Sequence, residues 1–355
     1  MKILYAVQAT GNGHVSRAKE LIPLFLKHVE VDVLLSGTAS DVALDFPIKH
    51  RLRGFSFVFG QNGGVDLFKT FIRMNLVQLV KEIRMLNLDD YDLIINDFEP
   101  VSAWASKLRR KKCMALSHQY SLLNTKVPQA KTKSLLSKII LNYYAPASWG
   151  YGFHFKKYHQ DIFLPIIKGE IKNNSPIKKK YYTVYLPAYS DEKIIKILSQ
   201  IPNTNWKVFS KNSKESYRVG NIYIKPIDTE KFNISLVNCR GVLCGAGFET
   251  PAEALYLKKK LLVIPMQNQF EQQCNAVALQ EMGVPVINKL NKGAVMVIRK
   301  WVGSSKIVNV DYNQTNDKVI NQLFLNYIKN KTKLTANEPQ KLNFKLIRKK
   351  VKNYL

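Results

Sequence analysis

The sequence is short of cysteine and of acid. Cys113, Cys239, Cys244 and Cys274 are the only cysteines in 355 residues. They are too few for a disulfide framework, and none forms a CxxC pair or a Cys/His cluster at zinc spacing. They read as reduced core residues of a cytoplasmic protein. Asp and Glu number 26 against 54 Lys and Arg, a formal net charge of +28. Such a charge attracts polyanions, whether nucleic acid, anionic lipid headgroups or phosphorylated substrates; it is equally what lysines spread over solvated faces would give. No run approaches the roughly 18 apolar residues that a bilayer span needs, which excludes an integral membrane protein. The first apolar stretch, Ile3-Leu4-Tyr5-Ala6-Val7, is long enough for a strand only, so no signal peptide is expected. A P-loop is absent as well. Hydrophobic residues at 46% still supply packed cores and exclude wholesale disorder.

What is present is alternation. Strand-like residues 3–8, 31–35, 92–95 and 112–116 are separated by helix-like residues 14–27, 66–87 and 101–108. The order restarts at 181–186 and continues through strands at 206–209, 222–224, 241–244 and 260–265, with helices at 192–198, 231–237, 248–257 and 270–282. This βαβα order predicts an α/β protein with two doubly wound parallel sheets, each covered by helices on both faces. The expected division is 1–150 for a first domain, 151–330 for a second and 331–355 for a basic tail, free or packed back on the first domain. The hinge is expected within 145–180. Ligands of such sheets bind outside the carboxyl ends of the strands.

The first strand runs into Gly11-Asn12-Gly13-His14-Val15-Ser16-Arg17-Ala18. Glycines in a strand-to-helix turn let the backbone approach a ligand, and the helix N-terminus beyond favours negative charge. A dinucleotide fingerprint is not met, because Ser16 takes the third glycine position and the second strand ends in Ser36-Gly37. His14, in the first helical turn, is the candidate base or else a simple cap. A base histidine needs an orienting carboxylate. Asp97, at the end of its strand, is the first choice and Glu99 the second, although an Asp here also suits an N-cap. His118 and Gln119 follow the next strand and line the acceptor side. Asp90-Tyr91-Asp92 spells a metal motif but opens a strand at the wrong end of the sheet, and reads as a solvated turn. No metal and no other cofactor is expected.

The second half holds Gly245-Ala246-Gly247-Phe248-Glu249-Thr250-Pro251-Ala252-Glu253, a strand, a glycine turn and a helix. Backbone N–H groups from Gly247 through Phe248 to Thr250 can hold a diphosphate. Glu253 falls inside the helix, on the side expected to face the ligand. Glu271-Gln272-Gln273-Cys274-Asn275-Ala276 opens the next helix with polar groups able to read sugar hydroxyls.

These two blocks, with GxGHxxRA at residues 11–18, resemble the GT-B glycosyltransferases over about residues 1–290. The resemblance is to a family-28-like branch of the clan of the lipid I N-acetylglucosaminyltransferase, the diacylglycerol galactosyltransferases and the plant UDP-glycosyltransferases. It implies His14 as base, Asp97 as its orienting aspartate, Glu253 on the donor ribose, and Gly245, Gly247 and Thr250 as the phosphate turn. It implies Glu271 and Gln272 on the transferred sugar, Asn275 as a structural residue and the Ile227 backbone near the nucleotide base. The clan's Gly-Gly-His is here Asn12-Gly13-His14, and the Trp and His of the plant signature are missing, which leaves acceptor and sugar open. The implied activity is metal-independent, inverting transfer of a hexose or N-acetylhexosamine from a nucleotide sugar, UDP-linked by resemblance. The acceptor could be lipid-linked at an anionic membrane surface, because helices 66–87 and 131–144 combine apolar and basic residues. Rival readings are a nucleotide-sugar 2-epimerase on the same fold and a non-catalytic sugar-nucleotide sensor. Nucleic-acid binding has only charge in its favour and is not expected.

Overall fold

The computed structural model describes residues 1–37, 44–55, 75–131, 135–174, 176–177 and 179–335. The first sheet contains β1 (Lys2–Gln8), β2 (Glu30–Ser36), β3 (His50–Leu52), β4 (Leu93–Asp97), β5 (Cys113–Ser117), β6 (Trp149–Phe153) and β7 (Ile162–Phe163), in the order β3-β2-β1-β4-β5-β6-β7. Every pairing is parallel. All of β4 and β5 is buried, as strands covered on both faces must be. The order reverses between β1 and β4, so the carboxyl ends of these two strands open onto a crevice.

The second sheet contains β8 (Tyr182–Tyr185), β9 (Trp206–Ser210), β10 (Tyr217–Val219), β11 (Ile222–Pro226), β12 (Gly241–Gly245) and β13 (Lys260–Ile264), in the order β10-β11-β9-β8-β12-β13. It is parallel except for the exposed edge strand β10, which pairs antiparallel with β11. Its reversal lies between β8 and β12. The fold is thus two doubly wound α/β sheets, as the alternation predicts.

The domain limits differ from expectation in two places. Residue 150 falls inside β6, so the first sheet runs on to Phe163. This strand falls in the expected hinge because its alternation of glycine with aromatics carries no apolar periodicity. A Cβ at Gly150 would meet Ala115 at 2.6 Å and one at Gly152 would meet Ser121 at 2.5 Å; only glycine lets the strand lie so close to its neighbours. The second difference is the helix Asn316–Thr335, which returns to the first domain. Phe324 meets Phe25 edge-on at 6.1 Å, and Tyr327 stacks on Trp149. This helix therefore packs against the helix Asn12–Leu26 of the first domain. The tail beyond Thr335, the segment 66–74 of one expected amphipathic helix and residues 132–134 of the other lie outside the described residues.

What remains of those two helices is Leu76–Met85 and Leu135–Tyr143. The first turns Glu82 inward together with Leu79 and Ile83, which pack against the core. Buried Glu82 accepts from the backbone N–H groups of Arg53 and Gly54 at 3.0 and 2.9 Å. Leu76, Val77, Val80 and Met85 consequently face outward, with Lys81 and Arg84 among them.

Candidate active site

The helix Asn12–Leu26 starts directly after the Gly11 turn and presents His14 and Arg17, one turn apart, to the crevice at β4. His14 Nδ1 lies 2.8 Å from Asp97 Oδ1. A carboxylate only accepts, so Nδ1 carries the hydrogen, and in the neutral imidazole the Nε2 lone pair then faces the cleft. Arg17 grips the same carboxylate at two points, Nε to Oδ2 at 3.0 Å and Nη2 to Oδ1 at 2.8 Å. Burial opposes ionisation of Asp97, but the charge of Arg17 and the bond to His14 outweigh it and hold its pKa below the ordinary value. Glu99 does not reach His14. It is the N-cap of the helix Pro100–Leu108, accepting from Val101 and Ser102 N–H at 2.8 and 2.6 Å. The capping role weighed for Asp97 thus falls to Glu99, which frees Asp97 for His14 and Arg17. Between them Phe98 adopts φ +55° and stacks on Tyr144 at 4.8 Å. A bulky residue in that region is strained, and such strain collects at functional sites.

Across the cleft, the helices Glu249–Tyr256 and Phe270–Glu281 aim their N-termini at the same space as Asn12–Leu26. Their N-cap residues Phe248, Gln269 and Gly11 all line the cleft, and among the described residues none has a side-chain cap. Glu99 and Asp228 cap the helices Pro100–Leu108 and Thr229–Asn238, whereas Asp191–Leu198 and Ala294–Gly303 lack a side-chain cap as well. Open N–H groups at converging helix ends make an anion site.

The sequence-predicted residues separate into two groups. Gly11, Asn12, Gly13, His14, His118 and Gln119 line one wall of a cleft of about 390 Å³; Ile227, Gly247, Phe248, Thr250, Glu271 and Gln272 line the other. Ile227 donates its N–H to Ser210 O at 3.2 Å, which commits that half of its backbone. Asp97, Gly245, Glu253 and Asn275 sit behind the walls. Asn275 bonds Ala246 O at 3.0 Å and His118 Nε2 at 2.7 Å, tying the two domains together. The His118 ring stacks on Phe248 at 4.0 Å across the same seam. Glu253 corrects the expectation of a carboxylate facing the ligand. It is 1% exposed and pairs with Lys168 at 3.1 Å, and it is Lys168 that lines the cleft. Burial pushes the Glu253 carboxyl up against the pull of Lys168, while Glu253 keeps Lys168 protonated.

Several site residues escape sequence reasoning. Arg17 also donates to Glu249 of the opposite domain. Glu249 packs over Gly13, where a Cβ would meet its Cγ at 3.2 Å. Burial pushes the Glu249 carboxyl up to about 7 even beside Arg17, so an acid tolerated at an anion site is one that readily takes a proton. Tyr185, Phe209 and Phe232 form an aromatic end of the cleft beside Lys211. Their one signal is position, since Tyr185 and Phe209 stand at or near the carboxyl ends of β8 and β9.

Two doubly wound domains facing each other across a cleft describe many nucleotide-dependent enzymes. A model of glycosyl transferase family 1 matches residues 1–302. The chain belongs to that family. It is a GT-B glycosyltransferase, with which the family-28-like motifs are consistent. No curated protein matches the sequence. Among solved structures, the glycotransferase of kitacinnamycin is 11% identical, with a TM-score of 0.52 over 85% of this chain and 91% of that one. The Phytolacca americana UGT2 complexed with UDP-2fluoro-glucose and pterostilbene is 12% identical, with a TM-score of 0.53 over 84% and 89%. A UDP-N-acetylglucosamine 2-epimerase is 10% identical, with a TM-score of 0.51 over 97% and 99%. These structures share the fold. Among the described residues no group of His, Cys, Asp or Glu could hold a metal ion, and no helix is long and apolar enough to cross a membrane.

Proposed function

We propose that this glycosyltransferase moves a hexose or N-acetylhexosamine from a UDP-sugar to an acceptor hydroxyl, with inversion and without a metal. The observation that carries the reading is the His14–Asp97 pair facing the uncapped N-terminus of the Glu249–Tyr256 helix across one cleft. His14 Nε2 takes the acceptor proton as the acceptor oxygen attacks the anomeric carbon. The bond from that carbon to the diphosphate breaks, and the diphosphate leaves toward the helix N–H groups and Lys168. Fixed dipoles stabilise this charge without reorganising. Asp97 stabilises the imidazolium.

Gly245, Gly247 and Thr250 shape the phosphate turn, Glu271 and Gln272 meet the sugar, and the base lies among Tyr185, Phe209, Phe232 and Ile227. Glu253 meets the ribose only if Lys168 releases it. UDP is favoured because the plant structure of the same fold holds UDP-2fluoro-glucose.

The acceptor is apolar, presented in the cytoplasm at an anionic membrane surface. Phe98, Ile140, Leu141 and Tyr144 line the mouth beside His14. The outward face of the Leu76–Met85 helix combines apolar side chains with Lys81 and Arg84, a composition suited to anionic headgroups. No nucleic-acid partner is proposed.

The test is metal-free calorimetry against UDP, GDP, dTDP and CMP, followed by mass spectrometry of products formed from the matching nucleotide sugars and membrane lipid extracts. Binding of UDP and a glycosylated acceptor are expected. Absence of nucleotide binding overturns the donor site, and acceptor-free conversion of the donor to an epimer overturns transfer.

A further inference from the structure

Gln119 stands on the first turn after β5, 6% exposed, in the cleft wall. Its amide nitrogen lies 3.3 Å from His14 Nε2 and 2.8 Å from Glu271 Oε2. Its Oε1 is buried and has no hydrogen-bond partner among the described residues. The orientation follows from the neighbours. The Glu271 carboxylate only accepts, so the amide must turn its NH2 that way. With the hydrogen on Nδ1 of His14 toward Asp97, Nε2 of the neutral imidazole accepts from the facing amide. Both amide hydrogens are therefore committed, one to each domain, and the oxygen is left over. A buried acceptor without a donor carries a desolvation cost, and here it borders the space where hydroxyl-bearing substrates would bind.

We propose that Gln119 is a positioning residue that caps the base nitrogen of His14 and releases it when a sugar occupies Glu271; this rests on the functional reading above. The Nε2 lone pair takes one hydrogen at a time, so an acceptor hydroxyl reaches it only after the amide leaves. Glu271 anchors the amide in the substrate-free protein. A sugar hydroxyl that donates to Glu271 removes this anchor, and the orphaned Oε1 gains a donor when the amide turns toward the sugar. Donor arrival and base availability are thereby linked, and without donor the base activates neither acceptor nor water.

The experiment uses the substrate-free full chain and diethyl pyrocarbonate, which acylates an available imidazole nitrogen, with each histidine followed by peptide mass mapping. Gln119→Ala is expected to raise the His14 rate about five- to tenfold, the factor one hydrogen bond supplies. Glu271→Ala, which removes the anchor and leaves Gln119 in place, is expected to raise it less. His118 is 1% exposed in the domain seam and reports opening of the cleft. A rise at His14 with His118 unchanged supports the cap. Equal rates at His14 in wild type and both variants, or a parallel rise at His118, overturn it. The labelling needs no substrate, so a failure of sugar transfer and a failure of the cap are read separately.

Discussion

Arg17 and Asp97 meet at two points inside the protein, Nε to Oδ2 at 3.0 Å and Nη2 to Oδ1 at 2.8 Å, with the side chains 2% and 0% exposed. The pair places a permanent anion directly behind the histidine, and through Glu249 it links that anion to the other domain.

Removing half of this pair should destabilise the fold. Arg17→Met leaves a buried carboxylate without its counter-ion, expected to cost about 3–5 kcal/mol. Denaturant midpoints read the change. Adding Asp97→Asn should recover part of the loss, because the two residues share one interaction. The Asp97 pKa is lowered in the fold. Its contribution is therefore present above the unfolded value near 3.8 and is lost as pH falls through the folded value.

Asp97→Asn alone should leave nucleotide binding intact and lower the rate. An amide no longer enforces the hydrogen on Nδ1 and gives the imidazolium no counter-charge. A fall of about 10²- to 10⁴-fold in kcat is expected, with the nucleotide affinity unchanged by calorimetry.

Glu249 gives the opposite pH dependence. Its carboxyl is raised from 4.5 to about 7 by burial, against Arg17. The folded protein holds this proton over a range in which the unfolded chain has lost it, so stability falls as pH rises from 4.5 to 7. Glu249→Gln should flatten that slope, a relative gain of about 3 kcal/mol across the window. Thermal unfolding of both proteins at pH 5 and pH 8 checks it.

The outward apolar face yields a separate test. Val77 is 81% and Val80 43% exposed. Val77→Glu with Val80→Glu should abolish co-sedimentation with phosphatidylglycerol vesicles and leave UDP binding unchanged. Wild-type binding should weaken with salt, as attraction worth about 1 kcal/mol per basic residue would.

Much of the fold was legible because its causes are local. Apolar runs that end in Gly11-Asn12-Gly13 or Gly245-Ala246-Gly247 mark strand, turn and helix within some ten residues, and doubly wound sheets gather such turns at one edge. That rule put Asp97 first and Glu99 second as the partner of His14, and only the capping contacts of Glu99 decide between them. β6 was hidden, since its alternating glycines respond to Ala115 and Ser121, more than 30 residues away. So was the return of the Asn316–Thr335 helix, whose apolar face matches Phe25 and Trp149 only after the sheet has formed.

The residue types at the cleft were thus determined by the sequence, through strand ends and glycine turns. Their partners were decided by tertiary structure. Arg17 to Glu249 spans 232 positions, Gln119 to Glu271 spans 152 and His118 to Asn275 spans 157. No periodicity reaches across such distances. Whether Glu253 faces a ligand or a lysine depends on where Lys168, in the link between the sheets, comes to rest. Local pattern places a side chain on an element, and the packing of one domain against the other decides what it touches.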